Sequence, residues 1–166
     1  LAICLYDHEH DSDKNENPFM LVGADFSGIQ SYIYQIVSKY AAKSLKGRSF
    51  YLRILSDAVV NYILKELNLF RANIIYNSGG SFYLLAPNTR FVREKLHEIM
   101  ETIEQKMFNA HGTVLYLAID HVELSREALI RRNGEDLTKV WTELFNKRDD
   151  KKNRKLGNIV SNNYAT

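Results

Sequence analysis

The chain lacks the residue types and the long apolar runs that mark secreted and membrane-spanning proteins. It has one cysteine, Cys4, in 166 residues, which excludes an internal disulfide framework and fits a reducing compartment. No apolar run approaches the roughly 20 residues that span a bilayer. The opening apolar stretch stops at Asp7 and has no basic leader, so it does not predict a signal peptide. We expect a cytoplasmic protein with no membrane contact.

The chain also has little net charge and few prolines. The 22 basic and 20 acidic residues leave a formal net charge of +2, which is too small to predict nucleic-acid binding from bulk electrostatics. With two prolines and 45% apolar residues, the chain is long enough to build one domain with a sizeable core.

Changes in composition divide the chain into three parts. Residues 1–18 begin apolar, turn polar and charged, and end at Pro18, so we interpret them as the end of a preceding region followed by a polar linker. Residues 19–146 carry regular hydrophobic patterns and form the predicted domain. Residues 147–166 begin with a run of charges, which we interpret as a solvated tail leading to a following domain. Because the first residue is Leu1, we expect a fragment of a larger protein.

The hydrophobic periodicity of the central part predicts the element order β-α-α-β-β-α-β-α. The expected strands cover 19–26, 73–77, 82–86 and 113–120. A hairpin flanked by strand–helix units is typical of an α+β fold with an antiparallel-rich sheet and helices on one face, the ferredoxin-like arrangement that nucleotide-cyclase palms use. Many unrelated proteins share this scaffold, so the fold alone does not identify an activity.

The helices are predicted from apolar spacing and from the residues at their ends. Gly47 is expected to end the first helix, and a second helix follows it. Asn88 or Thr89 is expected to cap the third helix. The apolar stripe of that helix is Val92, Leu96, Ile99, Ile103 and Met107. The last helix is expected from about 125 to 145, with an interruption at 133–134.

The segment from Gly23 to Gln30 predicts a buried strand that runs directly into a helix. Asp25 lies near the end of this strand, where palm cyclases place one metal-binding acid. Ser27, followed three residues later by Gln30, is typical of a capping box. The free backbone amides of such a helix start, together with the helix dipole, favour an anion such as a phosphate.

The segment from Ser78 to Ser81 predicts a two-residue hairpin turn, because Gly79 and Gly80 readily adopt the positive φ values of tight turns. Catalytic palms carry acids on this turn, which help to hold a pair of metal ions about 4 Å apart. Here the residue after the two glycines is Ser81, and serine is a poor ligand for a hard dication compared with a carboxylate. The pattern therefore predicts that a nucleotide binds but is not turned over by this chain alone.

Three segments together resemble a known family. They are 25–34 (Asp-Phe-Ser-Gly-Ile-Gln-Ser-Tyr-Ile-Tyr), 42–52 and 76–88. Their order and spacing are similar to those of the first Palm domain of the large subunit of type III CRISPR–Cas effector complexes. The subtype III-A, or Csm-type, version fits best, and the resemblance covers about residues 19–146.

The resemblance implies a function that is shared between domains. In that family the paired Palms join ATP molecules into cyclic oligoadenylates when the complex binds target RNA. The second Palm carries the acidic turn, whereas the first Palm binds one ATP opposite it and lacks that turn. It implies ATP as the ligand of this chain, Asp25 as a candidate ligand of Mg²⁺, and no catalytic residue. Nuclease and cyclase activity would belong to the full-length subunit. The implied nucleotide-binding residues are Ser27, Gly28, Gln30, Ser78, Gly79 and Gly80.

The resemblance also implies partners. These are the second Palm and the other domains of the same subunit, the other effector subunits, and guide and target RNA through the complex. Two alternative hypotheses stay open: a self-sufficient nucleotidyl cyclase that acts as a homodimer, supported only by Asp25, and a structural module that docks the second Palm and binds no ligand. A domain separated from its partner could also self-associate.

Overall fold

An antiparallel sheet forms the centre of the protein. The computed structural model describes residues 1–12, 16–34, 41–130 and 136–155. Within these residues the sheet has four strands, β1 (Phe19–Ser27), β2 (Ile74–Ser78), β3 (Ser81–Pro87) and β4 (Tyr116–Leu124), in the order β2-β3-β1-β4. β1 therefore lies between the β2–β3 hairpin and β4. This topology confirms the predicted α+β, ferredoxin-like fold.

Helices connect these strands and flank them. They are α1 (Ala2–Glu9), α2 (Ile29–Tyr34), α3 (Ala41–Glu66), α4 (Arg90–His111), α5 (Arg126–Ile130) and α6 (Leu137–Asn153). A short 3₁₀ turn, Arg71–Asn73, precedes β2. Of the helices in the described ranges, none is both long enough and apolar enough to cross a bilayer.

The larger core lies on the face of the sheet that α3 and α4 cover. Alternate residues of β1 point towards these helices, and Met20, Val22 and Ala24 have no exposed surface. α4 buries all five residues of its predicted stripe, which confirms that prediction. Its N-cap is Thr89, whose side chain accepts a hydrogen bond from the Val92 N–H at 3.2 Å. Each fully buried large aliphatic side chain stabilises the fold by about 1.5–3 kcal/mol, so this cluster supplies the greater share of the hydrophobic stabilisation.

The last helix, α6, covers part of the opposite face. Leu144 of α6 packs with Leu21 and Val122 of the sheet, and all three are buried. The helix lies close to the sheet at Gly23, where a Cβ would be 2.8 Å from Leu144 Cδ2. The expectation of helices on one face holds for α3 and α4, and α6 adds a smaller layer on the other side.

The N-terminal segment is more ordered than the predicted linker. Residues 7–9 form the last turn of α1, and this helix buries Cys4 beside Phe19 and Leu124. Burial raises the pKa of the Cys4 thiol. Residues 7–9, the start of the polar stretch, therefore belong to a helix, because the apolar residues that precede this polar turn anchor the whole helix to the sheet.

Gly47 does not separate two helices, contrary to the prediction. α3 is continuous from Ala41 to Glu66, and a Cβ at Gly47 would have no atom within 4 Å. A glycine in an exposed helix position costs about 1 kcal/mol relative to alanine. The apolar face of α3, packed in the larger core, outweighs that cost. The helix predicted before Gly47 is represented by α2, and residues 35–40 lie outside the described part of the chain.

α6 is longer than predicted, since it ends at Asn153. It begins at a capping residue, Asp136, whose side chain accepts a hydrogen bond from the Thr138 N–H at 2.9 Å. The charges of residues 147–153, expected to start a solvated tail, therefore lie in a helix that packs on the sheet. The interruption predicted at 133–134 falls outside the described residues.

Candidate functional site

The two sequence motifs meet at one corner of the sheet. Asp25, near the end of β1, lies directly opposite Ser81, the first residue of β3, in the antiparallel ladder. One residue further on, the Phe26 N–H donates a hydrogen bond to the Gly80 carbonyl at 2.9 Å. Backbone hydrogen bonds therefore fix the acid and the hairpin turn relative to each other. We call this region the Asp25 corner.

The hairpin turn has the tight two-residue geometry that its sequence predicts. Gly79 and Gly80 have φ values of +64° and +87°, the positive values of a type I′ turn. A Cβ at Gly80 would lie 2.5 Å from Ile29 Cδ1, whereas a Cβ at Gly79 would have only the Tyr76 hydroxyl nearby, at 3.9 Å. Gly80 is thus needed for packing against α2. Gly79 and Ser78 are exposed, so a ligand can approach the backbone there.

Gly28 joins β1 to α2, and no other residue fits its place. Its φ is +89°, and a Cβ would lie 2.0 Å from the Val114 carbonyl oxygen. The Gly28 carbonyl accepts a hydrogen bond from the Tyr32 N–H at 2.8 Å, which is the first hydrogen bond of α2. The close approach of two backbone segments explains this glycine without any ligand.

Ser27 and Gln30 do not form the predicted capping box. Ser27 is the last residue of β1 and pairs with Tyr116 of β4, so the strand ladder keeps its backbone extended. The helix begins only after Gly28, at Ile29. Gln30 lies exposed in the first turn of α2. The contribution of Ser27 and Gln30 to ligand binding stays a prediction.

Asp25 has a polar partner on each of its carboxylate oxygens. The Ser81 hydroxyl donates to Oδ1, and the Lys152 ammonium of α6 lies 2.6 Å from Oδ2. Asp149 is a second partner of Lys152, with its Oδ1 3.1 Å away. Burial alone would lower the pKa of Lys152, but the hydrogen bonds to Asp25 and Asp149 outweigh it and raise the pKa above its usual value. Lys152 is therefore a cation at neutral pH.

The residues around Asp25 do not fit a divalent metal ion. Mg²⁺ takes an octahedral shell of oxygen ligands, and proteins usually hold it with one or two carboxylates together with phosphates. Across the described ranges, no three or more acidic, histidine or cysteine side chains are grouped so that they could hold a metal ion. Asp25 itself already binds a hydroxyl and an ammonium. The Mg²⁺ considered from the sequence therefore lacks a matching ligand set here.

A second cation, Arg148, lies one helical turn before Lys152. Arg148 is 2% exposed, and its Nη1 donates to the Ala24 carbonyl at 3.3 Å. Its guanidinium carbon lies 5.1 Å from the centre of the Tyr83 ring and 4.6 Å from that of Phe145, within cation–π range. Among the residues described, no carboxylate pairs with this guanidinium, and its buried Nε has no hydrogen-bond partner. The corner thus contains a buried positive charge.

Sequence reasoning missed Lys152 and Arg148 because it assigned both to a solvated run of charges. A signal was present in the spacing of Trp141, Leu144, Arg148 and Lys152, which follow one another at three or four residues. This is the period of one helix face. A face that starts apolar and ends cationic indicates a helix whose last turns reach a polar part of its packing surface.

An aromatic cluster fastens α2 to α3 and α4. The Tyr51 hydroxyl lies 3.0 Å from His111 Nε2, and the Tyr32 ring meets the His111 ring edge-on with 5.7 Å between centres. The Arg48 guanidinium lies 5.1 Å from the centre of the Tyr32 ring and donates to the Tyr32 carbonyl. Burial lowers the pKa of His111, which favours the neutral ring in this packing. These contacts hold the short helix α2 in place beside the corner.

A cleft of about 420 Å³ lies elsewhere, between α4, β4 and α6. In it Lys151 Nζ lies 3.2 Å from Asp120 Oδ2 and donates to the Ile119 carbonyl at 2.7 Å. Burial, with the nearby charges of Glu104 and Asp120, raises the pKa of Tyr116 to about 12. None of the predicted nucleotide-binding residues lines this cleft. The candidate site is therefore the Asp25 corner and not the cleft.

Comparison with known proteins identifies close relatives. A family model described as Csm1 subunit domain B matches residues 18–164. The chain is 38% identical over 140 residues to the Cas10/Csm1 single-strand-specific deoxyribonuclease of the subtype III-A CRISPR system from Enterococcus italicus, a match that covers 84% of this chain and 18% of the relative. It is 34% identical over 154 residues to the protein of the same description from Methanocaldococcus jannaschii, covering 89% and 19%.

Solved structures give the same result at the level of the fold. A Csm1–Csm4 cassette in complex with pppApApA matches with a TM-score of 0.83 at 32% identity, over 94% of this chain and 22% of that one. The cassette in complex with one ATP matches with a TM-score of 0.82 at the same identity and coverage. These matches confirm the resemblance seen in the sequence. The chain spans about a fifth of the length of the relatives that it matches.

Proposed function

Because the chain belongs to the family of the Csm1 subunit domain B, we propose that it is the ATP-binding, non-catalytic Palm of a composite cyclic-oligoadenylate synthase in a type III CRISPR effector. One observation carries the proposal: Asp25 faces Ser81 across the ladder and is bound by Lys152. A two-metal reaction needs carboxylates that are free to hold metal ions. The synthase would therefore take its catalytic acids from a second Palm, and this chain would hold one nucleotide.

The ligands of solved relatives support the nucleotide half of this proposal. Csm1–Csm4 cassettes have been solved with one ATP, with pppApA and with cA4. In this chain the proposed contacts are Ser27, Gly28, Gln30, Ser78, Gly79 and Gly80. Among the three glycines, Gly79 offers a ligand the most open approach, since Gly28 and Gly80 are packed against neighbouring groups.

The same relatives suggest the partners. Because Csm1 is bound to Csm4 in those structures, we include a Csm4-type subunit among the proposed partners, together with the second Palm. Contact with guide and target RNA would come through the assembled complex, in the cytoplasm. Self-association of the chain through the surface meant for the second Palm is a separate hypothesis, which light scattering at high concentration tests.

Calorimetric titration of the chain with ATP tests the proposed function. We expect ATP to bind, and we expect Gly79→Val to lower the affinity by about tenfold, because the added side chain fills the open approach to the turn. Gly112→Val is the matched control: Gly112 also has a positive φ and open space around its Cα, but it is not a proposed contact. Thermal melts establish that both variants are folded.

Two outcomes would contradict the proposal. Formation of an oligoadenylate or a cyclic nucleotide by the purified chain alone would favour the homodimeric cyclase. Absence of ATP binding up to millimolar concentrations, with the fold intact, would favour a structural module that only docks the second Palm.

A further inference from the structure

Two cations of α6 meet one carboxylate of the sheet in the Asp25 corner. Arg148 binds the carbonyl of Ala24, and Lys152 binds the side chain of the next residue, Asp25. The two cations are four residues apart and so lie on the same face of the helix. The last two turns of α6 therefore bring positive charge to the end of β1.

The Lys152 ammonium contacts the Asp25 carboxylate, which in a catalytic palm would bind a metal ion. It lies 2.6 Å from Oδ2, and both side chains of the pair are 26% exposed, so water screens the contact only in part. A divalent ion could reach Asp25 Oδ2 only by displacing this ammonium. The Lys152 ammonium therefore already occupies the position beside Asp25 that a divalent ion would take.

Arg148 adds a buried positive charge beside the ion pair of Lys152 and Asp25. Its guanidinium is almost fully buried and has no paired carboxylate within the described ranges; the rings of Tyr83 and Phe145 offset only part of the cost of burial. Asp149, the second partner of Lys152, is 65% exposed, so solvent screens its charge. A phosphate that arrived beside Lys152 would balance the buried positive charge.

We propose that Lys152 is the resident cation of the Asp25 corner: it neutralises Asp25 in place of a divalent metal ion, and it donates a hydrogen bond to a phosphate oxygen of the bound nucleotide. Asp25 and Asp149 take two of the three N–H donors of the ammonium, which leaves one for the phosphate. Arg148 is a positioning residue that adds positive charge from the buried side of the corner. The phosphate contact rests on the proposed function, whereas the replacement of the metal ion rests on the corner alone.

The phosphate contact is tested by ATP titration of the chain in EDTA and in Mg²⁺. We expect the affinity of the unaltered chain to change by less than about threefold between the two conditions. Lys152→Met should lower the affinity in EDTA by about tenfold, and Lys152→Arg, which keeps the charge, should retain most of it. The matched control is Lys147→Met, since Lys147 lies on the same helix and pairs with Glu143 at 3.0 Å, away from Asp25.

A strict requirement for Mg²⁺ in the unaltered chain would overturn the phosphate contact, and so would equal losses of affinity in Lys152→Met and Lys147→Met. The comparison of EDTA with Mg²⁺ needs no variant, so it decides the question even if Lys152→Met does not fold. No binding of ATP in either condition would refute the proposed function together with the phosphate contact.

The replacement of the metal ion is tested without nucleotide. Electron paramagnetic resonance of added Mn²⁺ measures how much ion the chain takes up. We expect the same uptake by the unaltered chain and by Asp25→Asn, because Lys152 already occupies the carboxylate. Uptake of Mn²⁺ that Asp25→Asn abolishes would overturn this part of the proposal, whatever the outcome of the ATP titration.

Discussion

The two faces of the sheet are held by different chemistry. On the face covered by α3 and α4, buried apolar residues from both helices and from β1, β3, β4 and its flank form one continuous cluster, and the partly buried Ile74 of β2 packs against it. On the face covered by α6, the buried cluster that includes Leu144 is smaller, with Leu21 and Val122 as its other buried members and Tyr83, Val140 and Trp141 packed beside it. Towards the end of α6 the contact is made by charged side chains, Arg148 and Lys152. Apolar periodicity therefore predicts the first layer from sequence, whereas it predicts the helix of the second layer only up to the point where the charged run begins.

The largest effect that separates the two faces is expected from matched leucine truncations. Leu96 and Leu144 both have no exposed surface. We expect Leu96→Ala to lower the free energy of unfolding by about 4 kcal/mol and Leu144→Ala by about 2 kcal/mol. The difference arises because the partly buried neighbours of Leu144, such as Tyr83 and Trp141, can collapse into the space. Urea denaturation of both variants measures it.

Equal losses of unfolding free energy in Leu96→Ala and Leu144→Ala would contradict this difference between the two faces. They would show that the small α6 layer is packed as rigidly as the large core. Glu98→Ala, a change in a solvent-facing residue of α4, serves as the control and should alter stability by less than about 0.5 kcal/mol.

The elements of the large core could be predicted because burial and local pattern agree there. The stripe on α4, its cap at Thr89 and the Gly79–Gly80 turn each follow from local chemistry that the tertiary structure leaves intact. Ser27 shows the opposite case. Its sequence context favours a helix cap, but pairing with Tyr116 in the ladder extends the strand by one residue and decides the outcome. Such long-range pairing is invisible in the local pattern.

The charges of α6 could not be placed from sequence because lysine is usually solvated. In the structure three lysines at four-residue spacing donate to carbonyls along the outer side of β4 and the segment before it: Lys147 to His121 at 3.2 Å, Lys151 to Ile119 at 2.7 Å, and Lys155 to Thr113. β4 is an edge strand, and unpaired carbonyls at an edge invite pairing with other chains. These lysines thus cover the edge, which is a structural role.

The candidate site shows the same division. The meeting of Asp25 with the hairpin turn follows from the predicted strand order, whereas its ion pair with Lys152 depends on a helix expected to have ended earlier. Gly28 was predicted as a ligand contact, and the structure supplies a packing reason for it at the Val114 carbonyl. Local sequence identifies the backbone of the site but not the side chains that arrive from a distant element.

A smaller effect on stability is expected from the Asp25–Lys152 pair. It tests a charged contact of the α6 face, where the leucine truncations test apolar contacts. A double-mutant cycle with Asp25→Asn and Lys152→Met should give a coupling of about 1 kcal/mol near neutral pH. The folded-state pKa of Lys152 is raised. Its contribution is therefore fully present below the usual lysine pKa of 10.5 and is lost as the pH rises through the raised value.

Unfolding of the four proteins of the cycle at about pH 8 and at successively higher pH above the usual lysine pKa of 10.5 tests this dependence. A coupling that stays unchanged across this series would contradict it, because a deprotonated Lys152 no longer attracts the carboxylate. The truncation of Leu96 should cost the same at each pH value, which separates the pair from general alkaline destabilisation.

The smallest effect is expected at Gly47, on the solvent side of the helix that covers the apolar face. Since α3 is continuous there and a Cβ would meet no other atom within 4 Å, Gly47→Ala should raise the free energy of unfolding by about 0.5–1 kcal/mol. Thermal and urea melts measure the change. If the helix were broken at Gly47, as its sequence suggests, alanine would instead be neutral or destabilising. A gain in stability would show that the apolar packing of α3 carries the helix through a residue that locally disfavours it.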